Sequence, residues 1–358
     1  MPGSLYQSIY LFLVFVLTAF FVHHYTQRVL ANENRRTAYI TFSIVLAIGI
    51  ILFIGFRPIS SVFVDMITYD FTYSQLMGEP FYFDPDVDNL IYDNWFAYMA
   101  SLNVPVRAFF VIVAFMYFGM MWLACNRLFP RDTTIAFLVY LAAFSTFAYA
   151  TNGIKAGMAA SIFLVALAYN EKPIISIPLA IFTYGMHHSM ALVITAYLIT
   201  YFIRNPKYYF IFWIATFFVA ALHITYFQYL FADFTDEHGA DYLLSSENTG
   251  FRLDFIIYSA VPIIVGYILI HKYKLSSKTY NLLLSLYMLT NGLWMLCMYS
   301  SFTNRISYLS WFLYPIVLLY PFLNIYWSNR QAVYLRYVIW GHLGFTLFMN
   351  IIYYGLLK

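Results

Sequence analysis

The sequence predicts an all-α polytopic integral membrane protein, on three observations. Of 358 residues, 63% are hydrophobic and only 10% charged, where soluble domains average about 45–50% apolar and about 25% charged residues. Apolar runs near the roughly 17–25 residues that cross a bilayer recur along the chain. Lys and Arg gather in alternate loops, as they do on the cytoplasmic side of membrane proteins. Together these give one transmembrane domain over 1–358, with about twelve spanning helices (roughly 10–14) and the N-terminus outside. Two larger extracytoplasmic loops, 57–103 and 226–253, carry amphipathic helices. The mean hydropathy of +0.71 leaves no room for a large soluble domain, and a net charge of +3 does not suggest nucleic acid.

The candidate segments lie near 5–23, 37–56, 104–124, 133–149, 153–169, 173–186, 189–203, 208–225, 254–270, 280–299, 307–323 and 333–356. The first has no basic residue before it and no small-residue cleavage site, so it reads as a retained span and not as a secretory signal. Pro173 to Ile203 is too long for one straight helix. Pro178 and Gly185-Met186-His187-His188-Ser189 interrupt it, predicting two short or tilted helices meeting at a polar turn, or a re-entrant pair. Irregular backbone of that kind is tolerated at membrane depth only where protein or a wet cavity surrounds it. Between Arg57 and Asn103 lie seven acids: Asp65, Asp70, Glu79, Asp84, Asp86, Asp88 and Asp93. Phe227 to Arg252 holds Asp233, Asp236, Glu237, Asp241 and Glu247. Both stretches are rich in aromatics, which predicts amphipathic helices at the membrane surface. Cys125 and Cys297 sit in apolar runs and read as packing residues.

Charge sets the orientation. Arg28, Arg35, Arg36, Arg127, Arg131, Lys172, Arg204, Lys207, Lys272, Lys274, Lys278, Arg330 and Arg336 fall on one side, 13 of the 19 basic residues. Arg57, Arg107, Lys155, Arg252, Arg305 and Lys358 are left outside. Arg107 and Lys358 read as interfacial anchors. The other four stand at the outer mouths of helices, where an ionisable group is costly and marks a function by default. The plain alternative pairs each with a nearby acid, Arg252 with Asp254 or Arg57 with Asp65. Four cations at one level suit an anion with several oxygens, such as a diphosphate: Arg offers a planar fork and Lys a point charge.

Four motifs add detail. In Asn152-Gly153-Ile154-Lys155-Ala156-Gly157, the residues Gly153, Gly157 and Ser161 share a face that lets a second helix approach closely; Lys155 projects from another face. His187, His188 and Ser189 sit at the predicted outer turn, where His187 is a candidate general base or an interfacial histidine bonded to backbone. Asp65 and Tyr69 are four apart and share a helix face; Asp65 is a second candidate base, a partner orienting Arg57, or a solvated loop acid. Arg305 and Tyr308 share a face at the start of a late span. Asp84-Pro85-Asp86-Val87-Asp88 fails the EF-hand pattern, having Asn89 and Trp95 where Gly and Glu are required. No His/Cys/Asp spacing predicts a metal site, and no cofactor is expected.

In order and spacing, Arg57, Asp65-x-x-x-Tyr69, Asn152-x-x-Lys155, His187-x-Ser189 and Arg305-x-x-Tyr308 resemble the EpsG family, a branch of the Wzy-type bacterial polysaccharide polymerases, from about Arg57 to Pro315. The chain departs from it at Lys155-Ala156 (Arg-Gln in the family), at Val64 (often Gly) and at Met190 (Ala). The resemblance implies a membrane glycosyltransferase of the bacterial cytoplasmic membrane, with its active site facing the exterior. It would transfer a glycan from undecaprenyl diphosphate to the next lipid-linked repeat unit, for capsule, O-antigen or exopolysaccharide synthesis. Arg57, Lys155, Arg252 and Arg305 would bind the diphosphate; His187 or Asp65 would take the acceptor proton; Tyr69, Asn152, His188 and Tyr308 would contact glycan. The implied partners are the undecaprenyl-diphosphate-linked donor and acceptor, the bilayer and a chain-length regulator protein. An O-antigen ligase using the same donor is the nearest alternative. A flippase for lipid-linked sugars is another, disfavoured because its charges would lie near the midplane of symmetric halves. A receptor would not need Lys155 and Arg305 at helix mouths.

Overall fold

The computed structural model describes residues 1–30, 36–232, 241, 243–244 and 250–356, with backbone alone at 26–30, 36–38 and 232. Most of the second acidic stretch, including Asp233, Asp236, Glu237 and Glu247, lies outside the described residues, as do Lys358 and the side chains of Arg28, Arg35 and Arg36. The described residues contain no strand. In chain order the helices are α1 Tyr6–Leu30, α2 Arg36–Gly55, α3 Val64–Leu76, α4 Leu90–Ser101, α5 Val106–Leu128, α6 Thr133–Leu141, α7 Thr146–Thr151, α8 Ile154–Ala168 and α9 Pro173–Met186. There follow α10 Met190–Phe202, α11 Pro206–Ala221, α12 Tyr226–Ala232, α13 Leu253–His271, α14 Lys278–Leu296, α15 Thr303–Trp311, α16 Tyr314–Asn324 and α17 Gln331–Leu347, whose last turns widen to a π-helix over Phe348–Tyr353.

Among the described residues, five helical segments are long and apolar enough to cross a membrane: Gly3–Tyr25, Val106–Leu128, Leu253–His271, Thr303–Asn324 and Gln331–Tyr353; shorter apolar helices accompany them. The protein is membrane-embedded, and its surface gives the physical reason. On α1, Phe12, Phe15, Val16 and Phe20 are exposed; on α11, Ile211, Ile214 and Phe218; on α13, Ile257 and Ile264. Water would not tolerate so much contiguous apolar surface, whereas lipid solvates it. The 57–103 stretch folds into α3 and α4.

The chain forms two compact units, Met1–Met190 with Phe322–Lys358, and Ala191–Pro321. At the heart of the first unit is α6, all nine of its residues buried. The expected 133–149 segment is not one helix. It stops at Leu141, after about 13 Å at ~1.5 Å per residue, and restarts at Thr146. A helix end leaves carbonyls without partners, and no water is at hand to take them in an apolar interior. Side chains do so instead. His342 Nε2 donates to Val139 O (3.1 Å), Thr146 Oγ1 to Tyr140 O (2.6 Å), Tyr10 OH to Leu141 O (2.6 Å) and Thr346 Oγ1 to Ala142 O (2.8 Å). Thus α1 and α17 cap a break that the run of apolar letters concealed.

Two further expectations are corrected, and a third is met by a neighbour close in sequence. Pro178 does not interrupt α9, which runs through it and ends at Met186; the break falls at the histidine turn. The small-residue face of α8 does receive a second helix. A Cβ on Gly157 would lie 2.8 Å from Tyr149 O, and one on Gly153 3.3 Å from the Tyr149 ring, so the close neighbour is α7, folded back from just upstream. Finally, α15 begins at Thr303, which puts Arg305 inside its first turn instead of before it.

The second unit packs α11, α13, α14 and α15 around a satisfied polar knot. Asn291 donates from Nδ2 to Ser259 Oγ and Ser310 Oγ (3.0 Å each) and accepts at Oδ1 from Trp213 Nε1 (2.8 Å). Trp311 Nε1 also donates to Ser259 Oγ (2.8 Å). Every polar atom of Asn291 has a use, so the knot specifies the packing without a desolvation penalty left open.

Candidate functional site

The N-terminus of α8 is where the first unit concentrates polar groups. Lys155 is its second residue. A cation there opposes the positive end of the helix dipole, so the position calls for an anion. Asp93, one turn into α4, supplies it: Lys155 Nζ donates to Asp93 Oδ1 at 2.6 Å, with the two side chains 25% and 24% exposed. The ammonium also sits 4.9 Å from the centroid of the Tyr92 ring. Burial, reinforced by Tyr69 and Asp93, holds the Tyr92 phenol well above its usual pKa, so it stays neutral beneath the lysine.

Asp93 is a junction. Its Oδ2 accepts from the backbone N and the Nδ2 of Asn89, 3.1 Å each. Asn89 in turn accepts at Oδ1 from the backbone N of His188 at 3.0 Å. One chain of hydrogen bonds therefore runs from Lys155 through Asp93 and Asn89 to the turn between α9 and α10. In that turn the His187 and His188 rings stack with centroids 5.1 Å apart. His187 Nδ1 takes the backbone N–H of Ser189 at 3.2 Å and lies 2.7 Å from Ser189 Oγ. Gly185 allows α9 to reach α4 here: a Cβ on it would fall 2.6 Å from the Ile91 side chain.

Arg57 follows the end of α2 and is only 2% exposed. It meets no carboxylate among the described residues. Its Nη1 donates to Ile54 O (2.9 Å) and its Nη2 to Thr151 O (3.2 Å), and its guanidinium lies against the Phe110 and Phe63 rings at 5.0 and 5.6 Å. Those carbonyls are the C-terminal, negative ends of α2 and α7. Burial lowers its pKa to about 10, with Tyr6 pulling the other way, so it remains a cation at neutral pH. Arg57 thus fastens Thr151, the residue before Asn152 and four before Lys155. Its pairing with Asp65, weighed on the sequence, does not form. Asp65 and Tyr69 are half-buried on α3, with the Tyr69 ring 6.3 Å from Phe96.

Several buried polar atoms on these segments have no hydrogen-bond partner among the described residues: Arg57 Nε, Asn152 Oδ1, His188 Nδ1 and the Tyr92 hydroxyl. Native interiors leave few such groups, and each asks for an explanation. No group of three or more His, Cys, Asp or Glu able to hold a metal is found among the described residues.

In the second unit Arg252 caps α13 and is held by Asp254 through two bonds, Nε to Oδ1 at 2.9 Å and Nη2 to Oδ2 at 2.6 Å, with its guanidinium 3.5 Å from the Phe255 ring centroid. This is the pairing weighed as the plain alternative. Arg305 is exposed, 5.0 Å from the Phe302 ring centroid; Tyr308 is buried, its ring 5.7 Å from Trp311. Phe302 has φ of 52°, a left-handed conformation that a bulky residue rarely adopts.

Sequence reasoning singled out Lys155, Arg57 and the His187–Ser189 turn. It left Asp93 as one loop acid among seven and did not weigh Asn89 as a site residue. The available signal was their spacing, Asn89 and Asp93 one helical turn apart, which only gains meaning when α4 lies against α8 and α9.

The model of the EpsG family matches residues 39–356 of the chain. No curated protein and no solved structure matches it.

Proposed function

The chain belongs to the EpsG family, which is associated with Wzy-type polymerases, and on that premise we propose that it polymerises undecaprenyl-diphosphate-linked oligosaccharide repeat units on the outer leaflet of the bacterial cytoplasmic membrane. In this reaction the bond between the donor's anomeric carbon and the diphosphate oxygen breaks, and the electron pair leaves with the lipid diphosphate. The acceptor sugar's hydroxyl oxygen bonds to that carbon, and its proton passes to a base, for which Asp65 and His187 are the candidates.

The observation that carries the reading is Lys155 at the positive end of α8, met by a carboxylate. A diphosphate has the charge and the oxygens to take that place. The ammonium then stabilises charge as it develops on the leaving group, an electrostatic effect of the kind worth about 10²–10³ in rate per donor. Arg57, buried behind the α7–α8 junction, acts through position and through its fixed charge. Asn152 and His188, each with a buried atom lacking a partner, and Tyr69 offer contacts to sugar. Arg252 and Arg305 belong to the other unit, and their expected roles are tested separately by substitution.

The test deletes the gene in its host and separates surface glycans on a gel. Loss of a polymerase leaves single repeat units on the surface lipid; loss of a ligase or a flippase leaves none, and that outcome would sink the proposal. Complementation with Lys155→Ala, at normal protein level, should fail to restore long chains.

A further inference from the structure

The loop between α3 and α4 holds aromatic rings out from the protein. Tyr82 is 81% exposed and Phe83 61%, and among the described residues neither ring meets another ring. Exposed apolar faces of this kind mark interaction surfaces. The loop is nonetheless fixed in shape. At its start Gly78, with φ of 77°, donates its N–H to Ala100 O at 3.1 Å. Phe81 rests edge-on against Tyr98, with centroids 5.3 Å apart. Asn94, buried on α4, braces the middle: its Oδ1 accepts from Asp84 N at 2.8 Å and its Nδ2 donates to Asp84 O at 2.7 Å. Asp84 Oδ1 then accepts from Asp86 N at 2.9 Å. Rings fixed before a ligand arrives spend little ordering entropy on binding it.

Charge decides what the rings meet. The same loop carries Glu79, Asp84, Asp86 and Asp88, all exposed, and there is no Lys or Arg between 58 and 106. Aromatic residues also anchor proteins at bilayer interfaces, but four carboxylates repel an anionic lipid surface. They repel a diphosphate as well. A sugar ring suits both features. Its C–H face packs on the negative face of an aromatic ring, and its hydroxyls donate to carboxylate oxygens, in bonds stronger than neutral ones. We propose that the 81–88 loop is a glycan subsite for uncharged or amino-bearing sugars, with Tyr82 and Phe83 as stacking faces and the Asp86 and Asp88 carboxylates as acceptors. Asn94, which braces the loop, follows Asp93, which holds Lys155. One turn of α4 thus carries both the loop and the candidate phosphate cation. The inference deepens the polymerase reading and rests on it for the substrate: the loop takes glycan and Lys155 takes lipid diphosphate.

The test titrates full-length protein in lipid nanodiscs, by calorimetry, with fragments of the host's own surface polysaccharide released by mild acid. Tyr82→Ala/Phe83→Ala removes two exposed rings and spares the core. It should weaken binding about tenfold, since a ring contact is worth about two- to tenfold; unchanged affinity would overturn the proposal. Tyr82→Phe keeps the stacking face and should bind as wild type does, whereas a loss equal to that of Tyr82→Ala would refute stacking. Asp86→Asn/Asp88→Asn should weaken binding about threefold or more, and tighter binding would refute the acceptor role. A spin label on Tyr82→Cys reads the competing occupant, because Cys125 and Cys297 are buried. It should be relaxed by a water-soluble nickel chelate more than by oxygen; the reverse places the loop in lipid and overturns the subsite. Binding is read without transfer. A normal glycan ladder after gene deletion counts against the polymerase reading alone, while a wild-type protein that binds no fragment overturns the subsite whatever the ladder shows.

Discussion

Removing the charge of Asp93 is the sharpest structural test of the site. Asp93→Asn keeps the shape of the side chain, but an amide cannot serve all three donors. If its oxygen faces Lys155 at the 2.6 Å position, its NH₂ faces the two Asn89 donors at 3.1 Å, and both of those bonds are lost. Two charges about 4 Å apart attract by about 4 kcal/mol at an effective dielectric near 20. Desolvation and the quarter exposure of both side chains offset much of that. A hydrogen bond to a charged group is worth about 1.5–3 kcal/mol net, so we expect a loss of about 2–3 kcal/mol. Lys155→Met alone leaves Asp93 uncompensated and should cost a similar amount. Each single variant removes the same pair, so the double variant should cost about 1–2 kcal/mol less than the sum of the two. The assay is a double-mutant cycle on unfolding free energies from denaturing-detergent titration in mixed micelles. Costs that add to within about 0.5 kcal/mol, the behaviour of independent sites, would refute the coupling.

Arg57 and the glycines give two further tests. Arg57→Met fills the volume but leaves Ile54 O and Thr151 O without their buried donors, and should destabilise by about 2–4 kcal/mol in the same titration; Arg57→Lys, with a single point donor, should fall between. Gly157→Ala presses a methyl within 2.8 Å of the Tyr149 carbonyl and should cost about 1–3 kcal/mol by overpacking. Gly344→Ala, where nothing lies within 4 Å, should be neutral or stabilise by up to about 1 kcal/mol through helix propensity.

Much of the architecture is legible in composition because the solvent is lipid. A residue that faces hydrocarbon must be apolar, so runs such as 5–23 and 254–270 announce their helices without knowledge of any neighbour. The family resemblance is legible for a related reason: Arg57, Lys155, His187 and Arg305 are costly residues in such a chain, and their order along it stands out. Apolar letters do not report where a helix stops when other helices cap it. The break after Leu141 was hidden because Tyr10, His342 and Thr346 pay its polar debt from 131 to 204 residues away.

The same distinction divides the site. Sequence alone determined that this is a helical membrane protein with few charges, since charge and hydropathy are properties of single residues against a solvent. Only the tertiary structure decided which of its cations are already engaged. Arg57 turned inward onto two helix ends, Arg252 closed on Asp254, and Lys155 met Asp93, 62 positions away. A hydrogen bond depends on tenths of an ångström between atoms of separate segments, and no pattern along one chain encodes that until packing brings α4, α8 and the histidine turn together.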